Sequence, residues 1–163
     1  MKPARWLWLL LGAAAIVYLF FRGGGPEEEI RKQVAEVEEL LEKPSGEASL
    51  AAVDRANRLG NHFTEEFSVV IEPYGQSFGT RRDLIRGFVA FRRAFDSIEV
   101  GLRIQEIQVS GSQAETSIRA TFFGTGGGGG PSRQAWDAVI SWQNAGGWKI
   151  ETVQVTGQAE SVF

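Results

Sequence analysis

Between Ile98 and Val155 the chain alternates apolar and polar residues through four consecutive segments, and this pattern narrows the fold more than any other feature. Alternation places successive side chains on opposite faces of a strand. The first segment runs in one phase through Ile98, Val100, Leu102 and Ile104, then shifts to Ile107 and Val109. One phase shift means one extra residue, which predicts a β-bulge near Gln105–Glu106. Ala114 to Phe123 keeps Ile118, Ala120 and Phe122 on one face, and Arg133 to Gln143 does the same with Trp136, Ala138, Ile140 and Trp142. Trp148 to Val155 shifts phase again between Ile150 and Val153. Ser110-Gly111-Ser112 and Asn144-Ala145-Gly146-Gly147 carry hairpin chemistry between these segments. The expectation is an antiparallel meander, strongly curved by two bulges.

Helices come before this meander. Glu27 to Lys43 places Ile30, Val34, Val37 and Leu41 on one stripe, opens with three glutamates and stops before Pro44. Ser49 to His62 is a weaker helix with Leu50, Val53 and Leu59 as its expected apolar face. Phe63 to Ile71 alternates as a strand, and Glu72-Pro73-Tyr74-Gly75 is turn chemistry. Thr80 to Asp96 is a third helix, with Thr80 and Asp83 as a capping pair. Leu84, Ile85, Phe88, Phe91 and Phe95 form its expected apolar side, with Arg82, Arg86 and Arg93 largely outside it. Helices grouped before an antiparallel sheet predict an α+β domain, not a parallel nucleotide-binding fold. A curved sheet wrapped around helices makes a cone, and a cone is a natural place for a pocket.

Ahead of the domain, Trp6 to Phe21 carries no charge. About 16 residues at ~1.5 Å each give ~24 Å, slightly short of a bilayer core, and flanking Arg5 and Arg22 can snorkel. A cleaved signal peptide is the competing reading, but Phe20, Phe21 and Arg22 follow where small residues are expected. The expectation is one transmembrane helix within 1–22, a Gly/Pro tether at 23–26 and a domain over 27–163. Lys2 and Arg5 favour a cytoplasmic N-terminus, which puts the domain outside the cell membrane, in the periplasm of a Gram-negative cell.

The chemistry that this composition permits is narrow. There is no cysteine and a single histidine, His62, so thiol nucleophiles, cysteine-based metal sites and multi-histidine metal sites are ruled out. No metal site and no cofactor is expected. Beyond residue 26 the chain holds 14 basic and 20 acidic residues, an excess that argues against a nucleic-acid partner. Gly124 to Gly130 formally contains a phosphate-loop spacing, but Pro131 and another strand follow it, so a hairpin loop is the better reading. His62 suits a capping or half-exposed role better than that of a base. Arg82, Arg86 and Arg93 could meet anionic lipid head groups, but a solvated helix face is the better reading.

Two local motifs add to the element order. Gly79-Thr80-Arg81-Arg82-Asp83-Leu84-Ile85-Arg86-Gly87-Phe88 looks like a glycine-led third helix, and Trp142-Gln143-Asn144-Ala145-Gly146-Gly147-Trp148-Lys149-Ile150 like a closing hairpin. With the order of elements over 27–156, they resemble the nuclear transport factor 2-like superfamily, which includes the SnoaL-like polyketide cyclases and ketosteroid isomerase. The resemblance implies the cone fold. It does not carry catalysis across: the tyrosines are Tyr18 and Tyr74, and the one acid inside the third meander strand, Asp137, points away from the apolar face by parity. No catalytic residue is assigned. Tyr74, Phe88, Phe91, Phe122, Trp136 and Ile140 are the candidate pocket-lining residues; the aromatic set could frame a cavity, but filling it as core is the better reading for a small domain. The expected function is a non-enzymatic, membrane-tethered binding or assembly module, a layout that the periplasmic domains of type IV secretion assembly proteins resemble. Its partner would be a membrane protein or a second copy. The alternative is a small-molecule binder, or a SnoaL-like isomerase, cyclase or hydrolase, acting on a hydrophobic ligand.

Overall fold

Hydrophobic periodicity becomes three helices and six strands in a computed structural model that describes residues 24–126 and 131–157. Helix α1 is Pro26–Leu41 and helix α2 Ser49–Gly60. Strand β1 is Phe63–Ile71; a 3-10 turn at Glu72–Tyr74 leads into a short β2 at Gln76–Phe78. Helix α3 is Arg81–Arg93. Strands β3 (Ser97–Ser110), β4 (Gln113–Thr125), β5 (Ser132–Asn144) and β6 (Trp148–Thr156) follow. Among the described residues no helix is long and apolar enough to cross a membrane, and the apolar run at 6–21 lies outside them.

The six strands form one sheet in the order β2-β1-β6-β5-β4-β3. The meander pairs antiparallel as expected, but β1 returns to lie parallel to β6, which the alternation alone does not reveal. Both bulges fall where the phase shifts place them. In β3, Ile104 faces Ile118 and Glu106 faces Ser117, so Gln105 is the extra residue. In β6, Ile150 faces Trp142 and Thr152 faces Ser141, so Glu151 is the extra residue. Each bulge bends its strand while keeping the apolar set on the concave face.

Helix α1 packs into that concavity. Ile30 and Val34 meet Ala114, Ile118, Ile140, Trp142, Trp148 and Ile150 in the main core. A second cluster joins Leu40 of α1, Ala56 and Leu59 of α2 and Phe88 of α3, and a third joins Phe67, Val69 and Leu84. The indole N–H of Trp142 donates to the buried hydroxyl of Thr116, so this polar pair inside the core is satisfied.

Two expected helix faces are corrected by the structure. In α2 the buried side is Ala52, Ala56 and Leu59, while Leu50 is 81% exposed and Val53 40% exposed. The helix crosses close to its neighbours on its alanines, which leaves its larger apolar residues outside. In α3 the buried positions are Leu84, Phe88 and Arg92. Thr80 caps this helix as expected, accepting from the Asp83 N–H and donating to its carboxylate at 2.7 Å.

The edge strand β3 is covered at one end. Lys43, just past α1, exchanges two backbone hydrogen bonds of 2.9 Å with Ile98. The Glu38 carboxylate accepts from the Leu102 N–H at 2.5 Å. Helix α1 therefore occupies the concavity and shields half of an edge that would otherwise invite another strand.

Candidate functional site

Turn chemistry, strand parity and helix phase bring five aromatic rings together at one end of the cone, where they form an aromatic rim. Tyr74 reaches the rim from the 3-10 turn, where Gly75 at φ 60° reverses the chain into β2. Trp136 and Phe122 rise from the concave faces of β5 and β4, and Phe91 and Phe95 come from the end of α3 and the residues after it. Their ring centroids form a continuous chain: Tyr74 to Trp136 at 6.2 Å, Trp136 to Phe122 at 6.1 Å, Phe122 to Phe95 at 5.1 Å and to Phe91 at 5.5 Å. Most contacts are tilted or edge-on, the arrangement that ring quadrupoles favour.

This chain of rings spans inside and outside. Phe122 is buried, whereas Tyr74 is 52% exposed and Phe91 37% exposed. The Tyr74 hydroxyl donates to the Gln134 amide oxygen at 2.5 Å, which fixes the ring over β5. The Trp136 indole N–H is buried and has no acceptor among the described residues. Gly124 shows why the start of the glycine run is small: a Cβ there would sit 2.6 Å from both the Phe122 and the Phe95 ring. Residues 127–130 of that run lie outside the described residues, between β4 and β5.

Of the six candidate pocket residues, Tyr74, Phe91, Phe122 and Trp136 meet in this rim. Phe88 lies in the cluster between the helices and Ile140 in the main core beneath α1. The titratable candidates lie elsewhere. Asp137 faces outward and pairs with Arg119 across the sheet at 3.0 Å. His62 follows α2 at the end of that helix remote from the rim. Its Nδ1 donates to Gln33 Oε1 at 2.5 Å, and its Nε2 lies 3.9 Å from the Glu36 carboxylate. Burial pushes the imidazole below its ordinary value; Glu36 opposes the shift, and Lys149 and Arg58 add to it.

The residue that sequence reasoning missed is Arg92. It is fully buried and its guanidinium is saturated. Nε donates to Glu47 at 2.9 Å, Nη2 to the same carboxylate and to the Glu42 carbonyl, and Nη1 to the Leu40 and Leu41 carbonyls. These are the orphan carbonyls at the end of α1, where a cation also complements the helix dipole. Lys43 returns the arrangement, donating from Nζ to the Arg92 and Phe95 carbonyls at the end of α3. Arg92 stands four residues after Phe88 and eight after Leu84, so its place in the stripe was the available signal.

No protein-family model matches the chain, and no curated protein is similar enough to count as a relative. Solved structures are similar in fold. A candidate scytalone dehydratase from Novosphingobium aromaticivorans superposes with a TM-score of 0.68 at 13% identity, covering 84% of this chain and 87% of that one. A nuclear transport factor 2-like superfamily protein from Salmonella enterica serovar Typhimurium gives 0.64 at 18% identity, covering 83% and 93%. A conserved protein from Planctomyces limnophilus gives 0.63 at 17% identity, covering 80% and 95%. The chain therefore has the nuclear transport factor 2-like fold; at these identities the likeness speaks for the fold alone.

Proposed function

We propose that this protein is a membrane-tethered, non-catalytic binding module whose contact site is the aromatic rim of the cone. The observation that carries this reading is the pairing of exposed Tyr74 and Phe91 with a ring-filled interior at Phe122. Rings held by their neighbours present area at little entropic cost, which is what an anchor for an apolar side chain needs. The two titratable candidates read from the sequence, Asp137 and His62, are engaged away from the rim. The uncharged run at 6–21 and the short Gly/Pro stretch after it supply the tether, and tethering raises the local concentration of the rim near membrane partners. Such a partner is a membrane protein or a second copy of the chain.

One observation favours a second reading. The buried Trp136 N–H without an acceptor is a place where a ligand carbonyl or hydroxyl could be satisfied, at the side of an apolar ring cluster. A small hydrophobic ligand bound there would make the chain a carrier, or an enzyme of the kind that the dehydratase neighbour's name suggests.

Native mass spectrometry of the full-length chain, extracted from its host in mild detergent, separates the two. A protein partner or self-dimer whose affinity falls roughly thirty-fold or more in a Tyr74→Ser/Phe91→Ser variant supports the rim as a docking anchor. A retained small molecule, lost in Trp136→Phe, would favour the second reading. A partner that survives the double substitution would sink the rim as the contact site.

A further inference from the structure

Helix α3 carries a row of arginines that the cone does not use. Arg82, Arg86 and Arg93 fall within roughly 40° of one another around the helix, at spacings of four and seven. All three are exposed, and none has an ion-pair partner among the described residues. The other basic residues nearby are engaged: Arg81 with Asn57 and Asn61, Arg92 with Glu47, and Arg55 with Glu47. The row spans about 16 Å along the helix.

Beside it lies the apolar surface that α2 fails to bury. Helices α2 and α3 run antiparallel: Gly60 meets Arg81 at one end, and Glu47, just ahead of α2, meets Arg92 at the other. Arg55 turns toward α1, where it donates to the Glu39 carbonyl, so Val53 on the opposite flank of α2 faces α3. Ala48, Leu50, Ala51, Val53 and Asn57, all on α2 or at its start, line a shallow hollow, with Asp54 as its acid. Exposed leucine and valine on α2, and unpaired arginines on the helix packed beside it, make an amphipathic basic surface on a domain otherwise rich in acid. That combination suits a bilayer interface, where the apolar residues enter the headgroup boundary and the arginines meet phosphates. An acidic protein surface would match the arginines but would leave Leu50 without a reason to be 81% exposed.

We propose that the α2–α3 face lies against anionic lipid, so that the tethered domain rests on its membrane in one orientation with the aromatic rim presented sideways. This rests on the tethering part of the reading above. Each arginine near an anionic surface contributes roughly a fivefold preference, so three make the orientation depend on lipid charge and salt.

The chain has no cysteine, so one introduced thiol is a unique label. Full-length Asn57→Cys carrying an environment-sensitive dye is reconstituted into phosphatidylcholine vesicles and into vesicles of phosphatidylcholine and phosphatidylglycerol in equal parts. Thr121→Cys, on the outer sheet face, serves as reference. The expected result is blue-shifted emission and quenching by lipid-borne quencher at position 57 only in the anionic vesicles. The shift should be reversed by salt and abolished when Arg82, Arg86 and Arg93 are all replaced by Gln, with position 121 unchanged throughout. Equal emission in neutral and anionic vesicles, or a shift that survives the triple substitution, overturns the proposal. Flotation at high salt reads the tether separately. Loss of the chain from vesicles there defeats the tethering reading, while the low-salt dye response still decides the fate of this face.

Discussion

Arg92 occupies a position that helical periodicity assigns to an apolar side chain, and the reason is visible only in three dimensions. Helix α1 ends against α3, and its last carbonyls need donors where access of water is restricted. A planar five-donor fork meets three carbonyls and a carboxylate at once. Arg92→Met is expected to cost about 3–5 kcal/mol in urea unfolding, because Glu47 and the carbonyls stay buried without it. Arg92→Lys should fall between the two, keeping the charge and losing the fork. His62 gives a prediction of opposite character. Its imidazole is held below its ordinary value by burial, so the folded state prefers the neutral form. Its contribution is complete above the unfolded value of about 6.5 and is lost as pH falls through the lower folded value. Stability measured from about pH 7 down to pH 5 should fall less steeply in His62→Gln, and an unchanged slope would assign the acid sensitivity to other groups. Neither role could be read from the chain, since each depends on partners distant in sequence: Glu47 for Arg92, Gln33 and Glu36 for His62.

At the scale of elements the sequence was most legible where one face is buried and the period is two. The shift from Ile104 to Ile107 located the bulge at Gln105, because a strand that must keep its apolar set inward can change phase only by adding a residue. This makes deletion a sharp test. Removing Gln105 leaves strict alternation through Ile107 and Val109 and takes away only the bend. The expected result is a folded domain destabilised by about 2 kcal/mol, a fall in Tm of roughly 5–10 °C by thermal melting. Removing Ser117 from β4 turns every later inward residue of that strand outward and should prevent folding. If the Gln105 deletion were as damaging as the Ser117 deletion, the bulge would be more than a source of curvature. Helix α2 was misread for the complementary reason. Its buried residues are alanines, which a search for large apolar side chains passes over, and its large ones mark the surface that faces outward. Strand β2, three residues long, offers too short a pattern to detect, and its place is set by pairing with β1.

The whole molecule combines a curved sheet, a helical filling and two outward-facing features with different chemistry. The aromatic rim lies where Tyr74 and Phe91 reach the surface, and the arginine row lies along the back of α3. The element order and the closing hairpin made the α+β cone legible, because a curved meander leaves helices only one side to cover. The rim was partly legible: Phe91, Phe122 and Trp136 were named from helix phase and parity and Tyr74 from its turn, whereas the separation of Phe88 and Ile140 into other clusters required knowing where α1 sits. The route by which α1 is fastened also has a mechanical meaning. A pull at Pro26 along the axis of α1 is borne by polar attachments near the far end of that helix: Glu38 on Leu102, the Lys43–Ile98 pair and the Arg92 clamp. Load along this axis strains these links together in shear, so α1 acts as a drawbar bolted at its distal end.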